Sequence, residues 1–189
     1  MKKILSIFSL LAIIFLMGAW APHAYAVSSG NVTVTVTIQN LSVSLSGATT
    51  WDLGTIPTSS VKTMTSLEKI IVTNDGNVTE SFTLSLTNPS GWAAGSTAGF
   101  NTYVMKGLFV STTDNPLPAD FGADGNDVIE TGIKTATDVN FGKTGSANGA
   151  SVPSTAGSNS RALWLQFSAP TSTSATTAQS ITITIGVAP

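Results

Sequence analysis

The sequence predicts an all-β protein, a two-sheet β-sandwich of seven to nine strands. Three observations carry that reading. Short runs in which apolar and hydroxyl residues alternate recur along the chain, separated by Gly, Pro, Asn and Asp; a period of two marks a strand with one buried and one wet face. No stretch shows the helical apolar period of about 3.6 residues with capping residues at its ends. From Val27 onward there are 22 Ser and 28 Thr, and β-branched Thr fills a pleated surface without adding charge.

Residues 1–26 have the layout of a secretory signal peptide. Lys2 and Lys3 are followed by an apolar run to Trp20, and Ala24-Tyr25-Ala26 supplies the small-x-small pattern of a cleavage site. Taking 26 residues from 189 leaves 163 for the mature chain, read as a single β-sandwich domain over residues 27–189. A chain of that size buries enough apolar surface to fold without disulfides. The expected location is secreted, extracellular or at the cell surface, with the periplasm as the variant in a double-membrane cell. No apolar tail follows the last strand, so no membrane span is expected after signal removal.

Composition then excludes chemistry. The single histidine, His23, lies in the signal region and the chain has no cysteine. The mature domain therefore has no Ser-His-Asp triad, Cys nucleophile, thiolate zinc site or haem histidine. It is expected not to be an enzyme. Six cations against ten acids give the mature chain a charge of −4, which disfavours nucleic acid and anionic lipid as partners.

The elements follow in order. Residues 31–38 place Val32, Val34, Val36 and Ile38 on one face and Thr33, Thr35 and Thr37 on the other, and predict a first strand. Leu41, Val43 and Leu45 alternate with Ser42 and Ser44. Trp51-Asp52-Leu53-Gly54 reads as a short strand or a strand end. The denser run Ile70-Ile71-Val72 suits a central strand. Asn74-Asp75-Gly76-Asn77 predicts a tight hairpin, since Asp-Gly tolerates the positive φ of such turns. Phe82, Leu84 and Leu86 would form the return strand, ended by Asn88-Pro89-Ser90-Gly91. Residues 103–110 form a further strand. Residues 114–150 are an irregular insertion, and two or three short strands are expected inside it, because a structureless loop of that length is unusual in a compact domain. Leu163, Leu165 and Phe167 point opposite to Trp164 on the next strand. Ile181, Ile183, Ile185 and Val187 alternate with Thr182 and Thr184 on the last.

Two candidate sites emerge. Asp120, Asp124, Asn126, Asp127 and Glu130 crowd oxygen ligands into one turning stretch, the donor type that calcium prefers. The helix-loop-helix calcium pattern needs an acid where Thr131 stands, and Asp and Asn bonding their own backbone would give the same sequence as a solvated turn. No cofactor is certain from the sequence, and calcium is the one candidate. Trp51, Trp92 and Trp164 are the mature tryptophans; exposed, they could stack on sugar rings, and buried, they fill the core. Lys69 and Lys106 lie on predicted strands, where an outward lysine blunts a sheet edge.

The two ends of the mature chain share one character. Residues 32–38 and 181–187 are apolar-alternating, β-branched and free of charge and Pro, the signature of strands avid for an edge. Each either pairs within its own domain or adds to a neighbour's sheet.

The run from Ile70 to Leu84, with Asn74, Gly76, Asn77 and Phe82, resembles the hairpin of many secreted immunoglobulin-like domains. Trp51-Asp52-Leu53-Gly54-Thr55-Ile56-Pro57 is similar to a motif of bacterial WxL surface domains, although Trp164-Leu165 lacks the spacer of a second Trp-x-Leu copy. The order of signal peptide, alternating first strand and Asn-x-Gly turn resembles the TasA/camelysin matrix-fibre proteins. The resemblance implies a surface or matrix role. The expected function is thus an exported non-enzymatic structural or adhesive protein of the cell surface or extracellular matrix, polymerising by strand addition in one version. The alternative is a carbohydrate-binding module using exposed tryptophans. The expected partners are further copies, other surface proteins, and cell-wall or matrix polysaccharide.

Overall fold

A computed structural model describes residues 33–122 and 126–189; the stretch 1–26 that reads as a signal peptide, and Asn31 and Val32 of the expected first strand, lie outside them. The compact body runs over Ile38–Pro189. Among the described residues it contains nine strands and one 3-10 turn: β1 Val43–Gly47, β2 Val61–Thr63, β3 Ile70–Asn74, β4 Ser81–Thr87, β5 Ala93–Ala94, β6 Thr102–Val110, the turn Pro118–Asp120, β7 Lys134–Thr135, β8 Ser160–Ser168 and β9 Thr182–Ala188.

They form two sheets packed as a sandwich. The larger runs β1-β3-β8-β6-β5, with β2 also paired to β8, and the smaller runs β7-β4-β9. The alternation seen in sequence explains the packing. Phe82, Leu84 and Leu86 of β4 are buried, as are Met105 and Phe109 of β6 and Leu163, Leu165 and Phe167 of β8. The rings of Phe82 and Phe109 meet across the sheets with centroids 5.4 Å apart. Gly107 leaves room for this approach, since a Cβ there would lie 2.8 Å from Leu84 Cδ1. Burial of this kind is worth about 1.5–3 kcal/mol per large apolar side chain, and it holds the domain together without disulfides.

Four expectations change. First, residues 33–38 form no strand, and Val34, Val36 and Ile38 are 78%, 76% and 78% exposed. Alternation makes a segment fit for a sheet, but only a partner edge makes it a strand. Second, Trp51-Asp52-Leu53-Gly54 is a turn: Asp52 Oδ1 accepts from Gly54 N at 2.8 Å, and Gly54 has φ +59°. Trp51 and Leu53 pack on the core from this turn. Third, Asn74-Asp75-Gly76-Asn77 joins no hairpin. β3 and β4 belong to different sheets, and the turn carries the chain across. Fourth, the described residues of the irregular insertion hold only β7, the 3-10 turn and isolated bridges at Val128 and Gly142.

That insertion is nevertheless ordered by hydrogen bonds to strand edges. Ile129 N donates to Met105 O, Gly107 N to Asp127 O and Phe109 N to Phe141 O, so the segment lines the edge of β6. Leu86 N donates to Glu130 O, Phe82 N to Gly149 O and Ala136 N to Phe82 O, so it also lines the edge of β4. Phe121, Ile129 and Phe141 plug the gap between the sheets from this side. Both sheets are thereby sealed along one flank. The terminal strands on the opposite ends of the two sheet orders, β1 and β9, carry no further strand among the described residues.

Candidate functional site

The acid-rich stretch is organised by lysines. Asp120 Oδ2 accepts from Lys143 Nζ at 2.9 Å and from Leu117 N at 2.6 Å, and Lys143 together with that amide holds its carboxyl below the usual range. Lys106 Nζ donates to Gly122 O and Lys134 Nζ to Asn126 O, each at 2.6 Å. Asp127 is buried and accepts from Gly122 N at 2.6 Å. Glu130 is exposed. Asp124 lies outside the described residues. Among the described residues no group of three or more acids converges as a metal cage would require. Two carbonyls that could face a cation, those of Gly122 and Asn126, face ammonium groups instead.

The three tryptophans do not share an exposed face. Trp164 is 2% exposed, and its indole N–H has no partner among the described residues. Trp51 is half-buried and donates to Glu68 Oε1 at 3.1 Å. Trp92 is half-buried, stacks on Phe167 at 6.2 Å and donates to Thr173 Oγ1 at 2.8 Å. Tyr103 lies beside it, 5.8 Å from Phe167; burial pushes its phenol up to about 12. Lys69 Nζ donates to Thr112 O at 2.7 Å.

Two places that sequence reading missed are more ordered than their composition suggests. The first is the junction of the N-terminal segment with the body. Asp75 N donates to Ser42 O at 2.8 Å and Asn77 N to Asn40 O at 3.1 Å. Asn77 Oδ1 accepts from Asn40 N, and its Nδ2 donates to Ile38 O, both at 2.8 Å. Glycine is required at 76 because a Cβ would collide with the Asn40 carbonyl. Asn74 Oδ1 accepts from Gly76 N, and its Nδ2 donates to Val78 O and Val152 O. Beneath them Glu80, 1% exposed, accepts from Ser42 N at 3.3 Å with Oε2. Its Oε1 has no hydrogen-bond partner among the described residues. Burial pushes this carboxyl up; the Ser42 amide opposes the rise, and the charge of Asp75 adds to it. The same Asn-Asp-Gly-Asn residues that read as a hairpin thus clasp the chain between Ile38 and Ser42.

The second is one end of the sandwich, where β4 and β8 finish and β6 and β9 begin. Here residues 88–101 and 169–181 are laced together. Asn101 has φ +49°, a left-handed conformation that asparagine tolerates at modest cost. It is held by its backbone N donating to Ser172 O and its O accepting from Ala93 N, each at 2.9 Å. Its side chain bonds Ser174 Oγ and Ser174 N at 2.8 and 2.9 Å. Gly91 N donates to Gln179 Oε1 at 2.9 Å. On this framework Phe100 stands 65% exposed. A lone aromatic inside a Gly-Ser-Thr-Ala stretch was the sequence signal for it.

No helix among the described residues is long and apolar enough to cross a membrane. No protein-family model matches this chain, and no curated protein matches it in sequence.

Proposed function

We propose that this chain is an exported, non-enzymatic structural or adhesive protein of the cell surface or extracellular matrix, and that copies join by strand addition. The alternating segment of one copy, residues 33–38, adds to a terminal strand of another. The observation that carries this reading is the state of that segment: uncharged, β-branched, alternating, and exposed outside any strand. Such a segment buries its apolar face and satisfies its backbone only by finding an edge. The outer edge of β9 is the acceptor of choice. β9 is seven residues long, against five for β1, and its Ile183, Ile185 and Val187 already pack on the core. Head-to-tail addition that does not close on itself gives a filament. The mature composition, without histidine or cysteine, and the signal-like first 26 residues support the same reading.

The test is the mature chain, residues 27–189, compared with its Val34→Asp/Val36→Asp variant by light scattering and negative-stain microscopy. Wild type should form concentration-dependent oligomers or filaments, and the variant should stay monomeric with unchanged circular dichroism. A wild-type chain that stays monomeric at every concentration tried would sink the proposal.

A further inference from the structure

We infer that the end of the sandwich carrying Phe100 is a binding site for a neutral polysaccharide, with the Phe100 ring as its stacking platform. Three observations point there. Phe100 is the one strongly exposed aromatic ring among the described residues, so its face is open to a ligand that can stack on it. Its position is fixed rather than loose. The neighbouring Asn101 is held in a left-handed conformation by four hydrogen bonds to Ala93, Ser172 and Ser174, so the ring is presented without the entropy cost of ordering a mobile loop on binding. The surroundings are chemically selective. Residues 88–103 and 168–180 contain no Asp, Glu, Lys or Arg; Ser172, bridged to Phe100, is exposed, as are Thr171, Thr173 and Ser174 beside it in the chain.

That combination fits one class of ligand. A pyranose offers a face of C–H groups that packs flat on an aromatic ring, and a rim of hydroxyls that need both donors and acceptors. Serine and threonine hydroxyls supply both. A charged peptide, a nucleic acid or an anionic surface would meet no opposite charge here. The half-buried Trp92, braced by Phe167 and Thr173, supports the floor beneath these loops. The site uses none of residues 33–38 and does not depend on whether copies join.

The experiment is titration of the mature chain with cellohexaose, chitohexaose and mannohexaose, and with tetragalacturonate as an acidic probe, by calorimetry and tryptophan fluorescence. At least one neutral oligosaccharide should bind and the acidic one should not. Phe100→Ala should weaken binding at least tenfold with an unchanged melting curve, whereas Leu67→Ala, which removes an exposed apolar side chain elsewhere, should leave it unaltered. Binding of no neutral probe at millimolar concentration would overturn the inference. So would a Phe100→Ala variant that binds as wild type, or one that loses self-association while keeping its oligosaccharide.

Discussion

Residues 33–38 and strand β9 are nearly the same text with different fates. Both alternate β-branched apolar residues with threonine, and both lack charge. β9 pairs with β4 along its whole length, from Thr182 opposite Thr87 to Ala188 opposite Ser81, and turns Ile183, Ile185 and Val187 onto the core. Residues 33–38 leave Val34, Val36 and Ile38 in water. The difference is not propensity. It is that β4 offers β9 an edge, whereas the opposite flank of β4 is already taken by β7 and the long insertion. Alternation states what a segment can do; pairing with an edge decides whether it does so.

The comparison breaks most visibly under deletion. Removing residues 182–189 strips the cover from Leu84 and its neighbours on β4, and should leave a chain without a cooperative melt by circular dichroism. A chain beginning at Gln39 should melt within a few degrees of the mature protein while losing any oligomers. Equal losses of stability from the two deletions would show that residues 33–38 are part of the fold after all.

Single side chains sharpen the same contrast at smaller scale. Ile185→Ala should cost about 1–2 kcal/mol in chemical denaturation, the discounted value for a half-buried isoleucine. Val36→Ala should change monomer stability by no more than about 0.5 kcal/mol, as expected of an exposed site. A matching loss at Val36 would mean that it is packed in solution.

The smallest effect lies at the junction. Glu80 is held above its ordinary value of 4.5, first by burial. The fold therefore favours its protonated form. The stability it contributes is complete below the unfolded value, and it is lost as pH rises through the folded one. Melting temperature measured across pH 4 to 8 should decline more for wild type than for Glu80→Gln, which keeps an acceptor for Ser42 N and cannot ionise. Parallel curves would show that Glu80 is solvated as a free carboxylate.

Much of the sandwich was legible. The dense run at 70–72 became the central strand β3, and the alternations at 82–86, 163–167 and 181–187 became β4, β8 and β9. These readings succeeded because the period of two is imposed by the pleat itself. β2 was invisible because three residues carry no period. The Asp-Gly turn misled because a local rule cannot tell a hairpin from a crossing between sheets, and here the turn's donors go to residues 40 and 42. The long insertion hid its order in residue pairs bonded to edges far away in sequence. For the candidate sites, alternation correctly set Trp164 opposite Leu163 and Leu165, but it could not say that both faces of β8 would be covered. Phe100 went unread because its neighbours have no pattern beyond small size and the absence of charge.

The clasp between residues 38–42 and the turn after β3 also has a mechanical meaning. A pull applied at Ile38 does not meet a single bond. It is met together by the Asn77 side chain, by the backbone pairs of Asn77 with Asn40 and of Asp75 with Ser42, and by the β1 ladder that continues them to Ile70. Because these links lie side by side along the chain, they load in shear and must give way together. The turn that bears them is also the covalent passage from β3 to β4, so tension entering at Ile38 is delivered to both sheets at once. A body tethered this way resists being unravelled from its N-terminal side.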